Sequence, residues 1–472
     1  MDGEIEKFNN YKKVLDKTGC GFCLAKWTQV TIHLHTGRTH SCHHPDTHVI
    51  PLSEIKRNPS ALHNTTFKKQ KRKEMLEGKR PEECDYCWKV EDNSDQISDR
   101  VFKSHEPWSK PYLEEIKELG WRQDYNPKYV EVAFSNACNF KCSYCGPSFS
   151  SQWVQEIEKH GAYPTTDGFN NFEWLKSTNR MPYKHTEENP YVEAFWKWWP
   201  DLYRDLDTFR ITGGEPLLSK DTWGVLDYII NEPNPNRSLN LSINTNLGVP
   251  DKLINKFIEK IKKLEDGNKI NSFVVYTSVD GWGEQAEYQR NGLIFNQFWD
   301  NLNKILSQCP TVTVGIMSTY NALSVPSYDK LITNVYDLKK EYASMDRAWT
   351  TPVSLDASFL RHPLHQTVQV LPQKFAETVK SHGVLAESLQ EIFHEGDHNE
   401  NLVTYGYTQM EIPKLHRIYD WMTSPQDSKE LKRNQYNFYK FFNAHDERRG
   451  TNFIKTFPEF EEFYNYCKEI KL

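Results

Sequence analysis

The sequence lacks any long apolar segment. Hydrophobic residues make up 38% of its 472 positions, and no uninterrupted apolar run approaches the roughly 20 residues needed to span a bilayer. The polar start, Met1-Asp-Gly-Glu4, also lacks the pattern of a secretory signal peptide. We therefore expect a cytoplasmic protein with no membrane contact, and a length of this order predicts roughly two to four domains.

Internal repeats, low-complexity tracts and a strong charge of one sign are absent as well. The formal net charge is −6, so no global field attracts nucleic acid. One basic run, Lys68-Lys-Gln-Lys-Arg-Lys73, could contact nucleic acid, but Glu74 and Glu77 follow it on a predicted helix. That pattern favours a solvated helix face. Nucleic acid is therefore not expected as a partner.

Cysteine is present ten times, and its distribution is uneven. In a reducing compartment, clustered cysteines indicate metal sites rather than disulfides. Five of them lie between Cys20 and Cys87, and three form a central group. The central group consists of Cys138, Cys142 and Cys145. Cys309 and Cys467 stand alone, and we expect both to be buried apolar thiols.

The central cysteines form a Cys-x3-Cys-x2-Cys array. A cubane iron–sulfur cluster has four irons, so three thiolates leave one iron without a protein ligand, and open coordination is typical of catalytic metal sites. The strand-like run Tyr129–Phe134 precedes the array. The cysteines would then follow the carboxyl end of a strand, which is the catalytic face of α/β barrels. The alternative is a zinc knuckle with a histidine or carboxylate as fourth ligand.

A second motif, Gly213-Gly-Glu-Pro216, ends the next predicted strand. The cysteine array and this tetrapeptide together resemble the radical S-adenosylmethionine (SAM) superfamily. The resemblance implies that Cys138, Cys142 and Cys145 hold a [4Fe-4S] cluster and that SAM chelates the open iron. It also implies a flavodoxin- or ferredoxin-type electron donor.

The same resemblance assigns residues to the SAM site. Tyr144 matches an aromatic position whose backbone meets adenine, and Glu215 matches the acceptor of the SAM ammonium group. Arg290 resembles a basic residue that meets the SAM carboxylate, although an exposed ion pair explains it equally well. The remaining predicted contacts, which lie at turns and strand ends, are Gly213, Gly214, Pro216, Asn244, Ser278 and Asp280. No catalytic residue is assigned.

Strand-like and helix-like runs alternate along the middle of the chain, which predicts a parallel α/β sheet. With the resemblance, the expected fold is α/β, a partial (β/α)6 TIM-type barrel. The predicted strands are Val130–Phe134, Thr208–Thr212, Leu239–Thr245, Ser272–Val279, Thr311–Ser318 and Trp349–Leu355. The predicted divisions are a Cys-rich module (1–91), a connector (92–128), the barrel (129–360, with an insertion at 146–207) and a helical region (361–472).

The N-terminal cysteines flank a predicted β-hairpin around Val30–Leu34 and end in a Cys-x2-Cys pair. Four ligands from separate segments make a closed site, formed by Cys23, Cys42, Cys84 and Cys87 with Cys20 as a substitute. The layout resembles the twitch domain, a shortened SPASM domain, although here it precedes the barrel. It implies an auxiliary iron–sulfur cluster, with zinc as the alternative. The histidines crowding the hairpin are expected to be mostly surface residues.

These features together predict a radical SAM enzyme. It would reductively cleave SAM to a 5′-deoxyadenosyl radical and abstract hydrogen from a substrate, and the twitch-like module favours a peptide or protein side chain. Two alternatives stay open: a radical SAM enzyme acting on a small molecule or nucleoside, and a non-catalytic metal-binding protein that retains the fold.

Overall fold

A single sheet organises the chain in this computed structural model, which describes residues 2–168, 170–184, 186–343, 352–390 and 405–472. Nine strands follow the order β11-β10-β8-β7-β6-β4-β1-β2-β3. The strands of this sheet are β1 Gln29–His33, β2 Arg38–His40, β3 His48–Val49, β4 Tyr129–Ala133, β6 Thr208–Thr212, β7 Asn240–Thr245, β8 Ser272–Ser278, β10 Thr313–Tyr320 and β11 Val353–Phe359. A separate two-stranded ladder joins β5 Lys141–Cys142 to β9 Arg290–Asn291.

The six strands predicted for the barrel are all present and parallel. Their ends differ from the prediction by a few residues, and the predicted start of the last strand, Trp349, lies outside the described residues. Along β8 the side chains alternate between buried and half-buried, as expected for a strand with one face towards covering helices and one towards the barrel interior. The α/β prediction is therefore confirmed at the level of a mostly parallel sheet.

The predicted hairpin does not form a sheet of its own. Strand β1 pairs in parallel with β4, with Ile32 opposite Val132, and antiparallel with β2. It therefore adds a seventh parallel strand to the predicted six. The reason is that β1 is buried on both faces from Gln29 to Ile32, so both of its edges need partners.

That placement also corrects the prediction for the hairpin histidines. The six histidines of this region are one exposed residue, one buried residue at 1% exposure and four half-buried residues: His43, His35, and His33, His40, His44 and His48. His33 and His40 lie on neighbouring strands and contact each other through their Nε2 atoms at 3.3 Å. Most of these side chains are therefore partly or fully covered and not simple surface residues.

Helices cover the sheet, and further helices lie before the first strand and after the last one. Their bounds are α1 Asp2–Thr18, α2 Ala25–Thr28, α3 Leu52–Arg57, α4 Thr66–Leu76, α5 Asp85–Asn93, α6 Asp99–His105, α7 Leu113–Leu119, α8 Ser151–His160, α9 Phe172–Ser177, α10 Pro190–Asp205, α11 Lys220–Asn231, α12 Asp251–Asp266, α13 Gly283–Gln289, α14 Phe295–Gln308, α15 Tyr328–Glu341, α16 Ala376–Ser388, α17 Ile412–Thr423, α18 Ser428–Arg449, α19 Phe453–Thr456 and α20 Glu461–Glu469. Over the described ranges, no helix is long and apolar enough to cross a membrane.

The basic run predicted as a solvated face lies on α4, and two of its residues are buried. Lys68 and Arg72 are each 0% exposed. Positions i and i+4 share one face of a helix, and this face packs against α2 and the start of β1 through bonds from Arg72 Nε to the Lys26 carbonyl and from Lys68 Nζ to the Gln29 carbonyl. The solvated-face prediction is therefore wrong for these two positions.

Two apolar cores divide the molecule. The larger core fills the space between the sheet, its covering helices and the C-terminal helices, and it includes Phe195 and Trp199 of α10, which pack that helix onto the sheet. A smaller core joins α1, α2 and α4 to Val101, Ile116 and Tyr125. Because those three residues lie in the predicted connector, that segment forms part of the N-terminal layer.

Candidate active site

The central cysteines lie on the loop that leaves the carboxyl end of β4. Strand β5, which contains Cys142, pairs with β9, and the amide of Ser143 donates to the carbonyl of Gln289 at 2.8 Å. The indole Nε1 of Trp153 donates to the Cys142 carbonyl at 2.9 Å. The loop is therefore held at Cys142 and Ser143 by backbone bonds to the β9 segment and by the Trp153 side chain.

A cavity of about 250 Å³ opens between this loop and the ends of the neighbouring strands. It brings together the three cysteines and most of the residues predicted for SAM. The predicted residues that line it are Cys138, Cys142, Cys145, Tyr144, Gly213, Gly214, Asn244, Ser278 and Arg290.

The two glycines allow the turn after β6 to lie directly against the cysteine loop. A Cβ atom on Gly214 would stand 2.4 Å from the carbonyl oxygen of Ala137, and Gly213 has a φ of 132°. Backbone that close excludes any side chain, and that φ is strained for any residue except glycine. The glycine pair is therefore required by the contact between the two loops.

Glu215 is buried beneath this turn. Its Oε2 accepts from the Asn246 amide at 2.6 Å, and its Oε1 accepts from the Leu217 amide and the Thr245 hydroxyl at 2.9 and 2.8 Å. Burial raises the pKa of Glu215 to about 7, although these three donors act in the opposite direction. Neither Glu215 nor Pro216 is among the residues that line the cavity, so this carboxylate braces the turn from behind.

Tyr144, Asp280 and Arg290, which the sequence suggested separately, form one buried network. Asp280 is 0% exposed and accepts from the Tyr144 hydroxyl at 2.6 Å, from Arg290 Nε at 2.8 Å and from the Thr319 amide at 2.7 Å. Arg290 Nη1 lies 3.7 Å from Cys142 Sγ. Asp280 thus supports the lining instead of facing the cavity. The ion pair of Arg290 is buried, which overturns its reading as an exposed pair.

The thiols of the loop are in an environment that disfavours free thiolates. Burial, followed by the charge of Cys142, raises the pKa of Cys145 to about 12, and burial and the same neighbour raise the pKa of Cys138. A bound metal reverses this preference because metal ligation requires thiolates. The donor set therefore fits a group that supplies several positive charges at once.

Single-ion geometry is not preformed in this structure. Within the described residues, no group of three or more His, Cys, Asp or Glu side chains has the spacing to hold one metal ion.

The central part of the chain, which contains the cysteine loop and the strand ends around the cavity, matches a known family. Residues 132–321 match the family model described as the Radical SAM superfamily. This segment is similar to a radical SAM domain. The match includes the cysteine array, the glycine turn, Asp280 and Arg290, and it spans less than half of the chain.

Other comparisons add little. One similar solved structure is described as native anSMEcpe with bound AdoMet and Cp18Cys peptide. The similarity covers 71% of this chain and 97% of that one, at 12% identity and a TM-score of 0.29. A similarity that weak says nothing about the substrate of this chain. No curated protein matches the chain at a significant level.

Outside the radical SAM domain, the four N-terminal cysteines come together. Cys23, Cys42, Cys84 and Cys87 line one small enclosed cavity. Burial, followed by neighbouring thiols, raises the pKa of Cys42 to about 12, and burial opposed by Lys26 raises the pKa of Cys84 to about 11. Cys20 is exposed and bonds to the Gly78 carbonyl, and it is not among the residues lining this cavity.

The C-terminal helical region, to which sequence analysis assigned no function, contacts the cysteine loop. Gln366 Nε2 donates to the Ser143 carbonyl at 3.1 Å, and Arg449 Nη1 donates to the Lys141 carbonyl at 2.7 Å. Arg449 also forms a buried bidentate pair with Glu156. The cysteine loop is thus held from behind by two residues about 80 positions apart in sequence.

Several lining residues were not predicted. Thr212 ends β6, and Thr319 is the residue before the last of β10. Thr245 and Asn246, which also line the cavity, directly follow the predicted Asn244 in the same strand-ending segment. The signal that could have found them is their place at the carboxyl ends of parallel strands, where α/β folds bind ligands. Phe140, Phe149 and Ser150 line the cavity from the cysteine loop itself, and no sequence signal distinguished them.

Proposed function

We propose that the protein is a radical SAM enzyme. The observation that carries this proposal is the single cavity shared by the three loop cysteines, the glycine turn and the strand ends of the radical SAM domain. In it Cys138, Cys142 and Cys145 would hold a [4Fe-4S] cluster. When bound, the cluster and SAM supply a 5′-deoxyadenosyl radical for hydrogen abstraction.

The residues of this chain provide binding, orientation and exclusion of water. Gly213 and Gly214 line the cavity and would present their backbone to the polar end of SAM beside the cysteine loop. Ser278 and Asn244, at the ends of β8 and β7, offer polar groups to the cavity. Arg290, fixed by Asp280 and Tyr144, holds a positive charge beside the Cys142 thiolate, which favours the ionised ligand.

The substrate we propose is a peptide or protein side chain. The support is the N-terminal cavity lined by four cysteines, which is a closed ligand set of the kind expected for an auxiliary iron–sulfur cluster, with zinc as the alternative occupant. A flavodoxin or ferredoxin would deliver the electron to the loop cluster, and the cytoplasm is the proposed location.

Anaerobic reconstitution with iron and sulfide tests the enzyme proposal. The reduced protein should show an electron paramagnetic resonance signal that changes when SAM is added, and 5′-deoxyadenosine should form. The C138A/C142A/C145A variant should lose both, whereas C20A, which alters an exposed thiol outside both cavities, should keep both. A SAM-insensitive signal in the wild-type protein would leave the non-catalytic metal-binding alternative in place.

The substrate class requires a separate measurement. Candidate peptides deuterated at one side chain should transfer deuterium into 5′-deoxyadenosine, and a small-molecule or nucleoside candidate should not. Transfer from the small molecule alone would contradict the peptide proposal while leaving the radical SAM chemistry intact.

A further inference from the structure

Positive charge is concentrated inside the protein next to the N-terminal cysteines. Lys26, on α2, is 2% exposed and lines the same cavity as the four thiols. Its Nζ donates to Oε1 of Glu83, the residue before Cys84. A buried ammonium is costly unless negative charge lies close to it.

Two more buried basic side chains, both on α4, lie behind Lys26. Arg72 Nε donates to the Lys26 carbonyl at 3.2 Å, and Lys68 Nζ contacts His63 Nδ1 at 2.7 Å. Both side chains are fully buried. Burial, followed by the charges of Arg72 and Lys26, holds the pKa of Lys68 well below its usual range, and burial lowers the pKa of Arg72 to about 9 although Asp124 acts in the opposite direction. Among these three basic side chains, Lys26 is the one that the structure pairs with a carboxylate, Glu83.

The neighbouring cysteines would place further negative charge beside Lys26 when they are ionised. Four thiolates around Zn²⁺, or around an oxidised [4Fe-4S] cluster, carry a net charge of about −2. As neutral thiols they carry none. The buried ammonium of Lys26, which lines the same cavity, is therefore placed for a site whose cysteines are ionised and ligated.

We propose that Lys26 is the positioning residue of the N-terminal cysteine site, where its ammonium neutralises the thiolates and favours an anionic metal centre. Glu83 orients Lys26 but opposes the same centre through its own charge. This inference rests on the proposed second site and assigns a role that the cysteines alone do not reveal.

The test uses the full chain carrying C138A/C142A/C145A, so that only the N-terminal site takes up metal. Zn²⁺ affinity is measured by competition with a chromophoric chelator, and iron and sulfide uptake by absorbance. Loss of a residue that supports metal ligands typically weakens metal binding by about 10- to 100-fold. We expect that loss for K26M, whereas K26R should stay within about threefold of the parent because it keeps the charge.

A second variant, which removes the negative partner in place of the positive one, separates this role from a simple ion pair. E83Q removes the partner of Lys26 and also a negative charge, so binding should be equal to the parent or tighter. K89M is the matched control, since Lys89 on α5 pairs with Asp85 but is 71% exposed. If a cluster forms, its midpoint potential should fall in K26M, because a lost cation destabilises the reduced, more negative state.

The outcomes are distinguishable. Binding by K26M within threefold of the parent, or a loss in E83Q as large as in K26M, would overturn the role of Lys26. If K26M does not fold by circular dichroism, E83Q decides, and a loss beyond threefold there overturns the proposal. A parent protein that takes up neither zinc nor iron would remove the second site itself, while SAM cleavage by the unmutated enzyme would still be measurable.

Discussion

Replacing Arg449 by methionine should loosen the cluster loop from behind. The guanidinium is 1% exposed and Glu156 is 3% exposed, and the two form bonds of 3.1 and 3.0 Å. Burial alone would raise the pKa of Glu156, but Arg449, then Lys141 and Tyr163, lowers it to about 2. The change from 4.5 to about 2 corresponds to stability on the order of 3 kcal/mol at neutral pH.

Two independent magnitudes agree for this substitution. Removing one partner of a buried pair typically costs about 3–5 kcal/mol, and the pKa of Glu156 gives a similar figure for all its partners together. Because Lys141 and Tyr163 still contact Glu156 in R449M, we expect a loss of about 2–3 kcal/mol. The R433M variant, on the same helix but half exposed with a single partner, should change stability by less than about 0.5 kcal/mol.

The assay is urea unfolding of the metal-free protein followed by tryptophan fluorescence, for which Trp153 beneath Arg449 is a local reporter. The pH dependence has a defined sign. Since the folded pKa of Glu156 is depressed, its contribution is complete above about pH 4.5 and is lost as the pH falls towards 2. An R449M protein as stable as R433M, or a difference between wild type and R449M that does not shrink below pH 4.5, would refute the reasoning.

Three further perturbations address the cavity and its supports. D280N removes a charged acceptor shared by Tyr144, Arg290 and Thr319, so calorimetry of the reconstituted protein should show SAM affinity at least about tenfold lower; unchanged affinity, as expected for the exposed control D300N, would contradict that role. G214A would force a Cβ against the Ala137 carbonyl, so iron content at the loop cluster should fall sharply, and normal loading with SAM cleavage would show that the turn can move. Q366A removes the bond to the Ser143 carbonyl and should lower the urea midpoint by the equivalent of about 1 kcal/mol, whereas a stability unchanged from wild type would mean that this bond is replaced by water.

The local pattern of the chain was sufficient for the barrel strands and for the central motif. Alternating strand and helix runs predicted six parallel strands because hydrophobic periodicity and turn residues are local properties. The cysteine array and the Gly213–Pro216 turn could also be recognised from the sequence, because each motif lies within a few consecutive residues. The four N-terminal ligands were predicted from spacing too, and they do line one cavity.

Contacts between segments far apart in the sequence could not be predicted from these local patterns. Nothing local shows that β1 pairs with β4, about 100 residues later, and this pairing is what buries His35. Helical periodicity marks Lys68 and Arg72 as one face but not what that face meets, and only packing against α2 reveals that it is interior.

The sequence by itself determined the proposed chemistry, because three cysteines at this spacing and a glycine turn are properties of residue type and spacing. Only the tertiary structure decided how that site is supported. It brought Tyr144, Asp280 and Arg290 into one network, placed Arg449 and Gln366 behind the cysteine loop, and set the buried Lys26 beside the N-terminal cysteines. Each of these contacts joins segments far apart in sequence, and such contacts follow from packing and charge compensation across the whole fold.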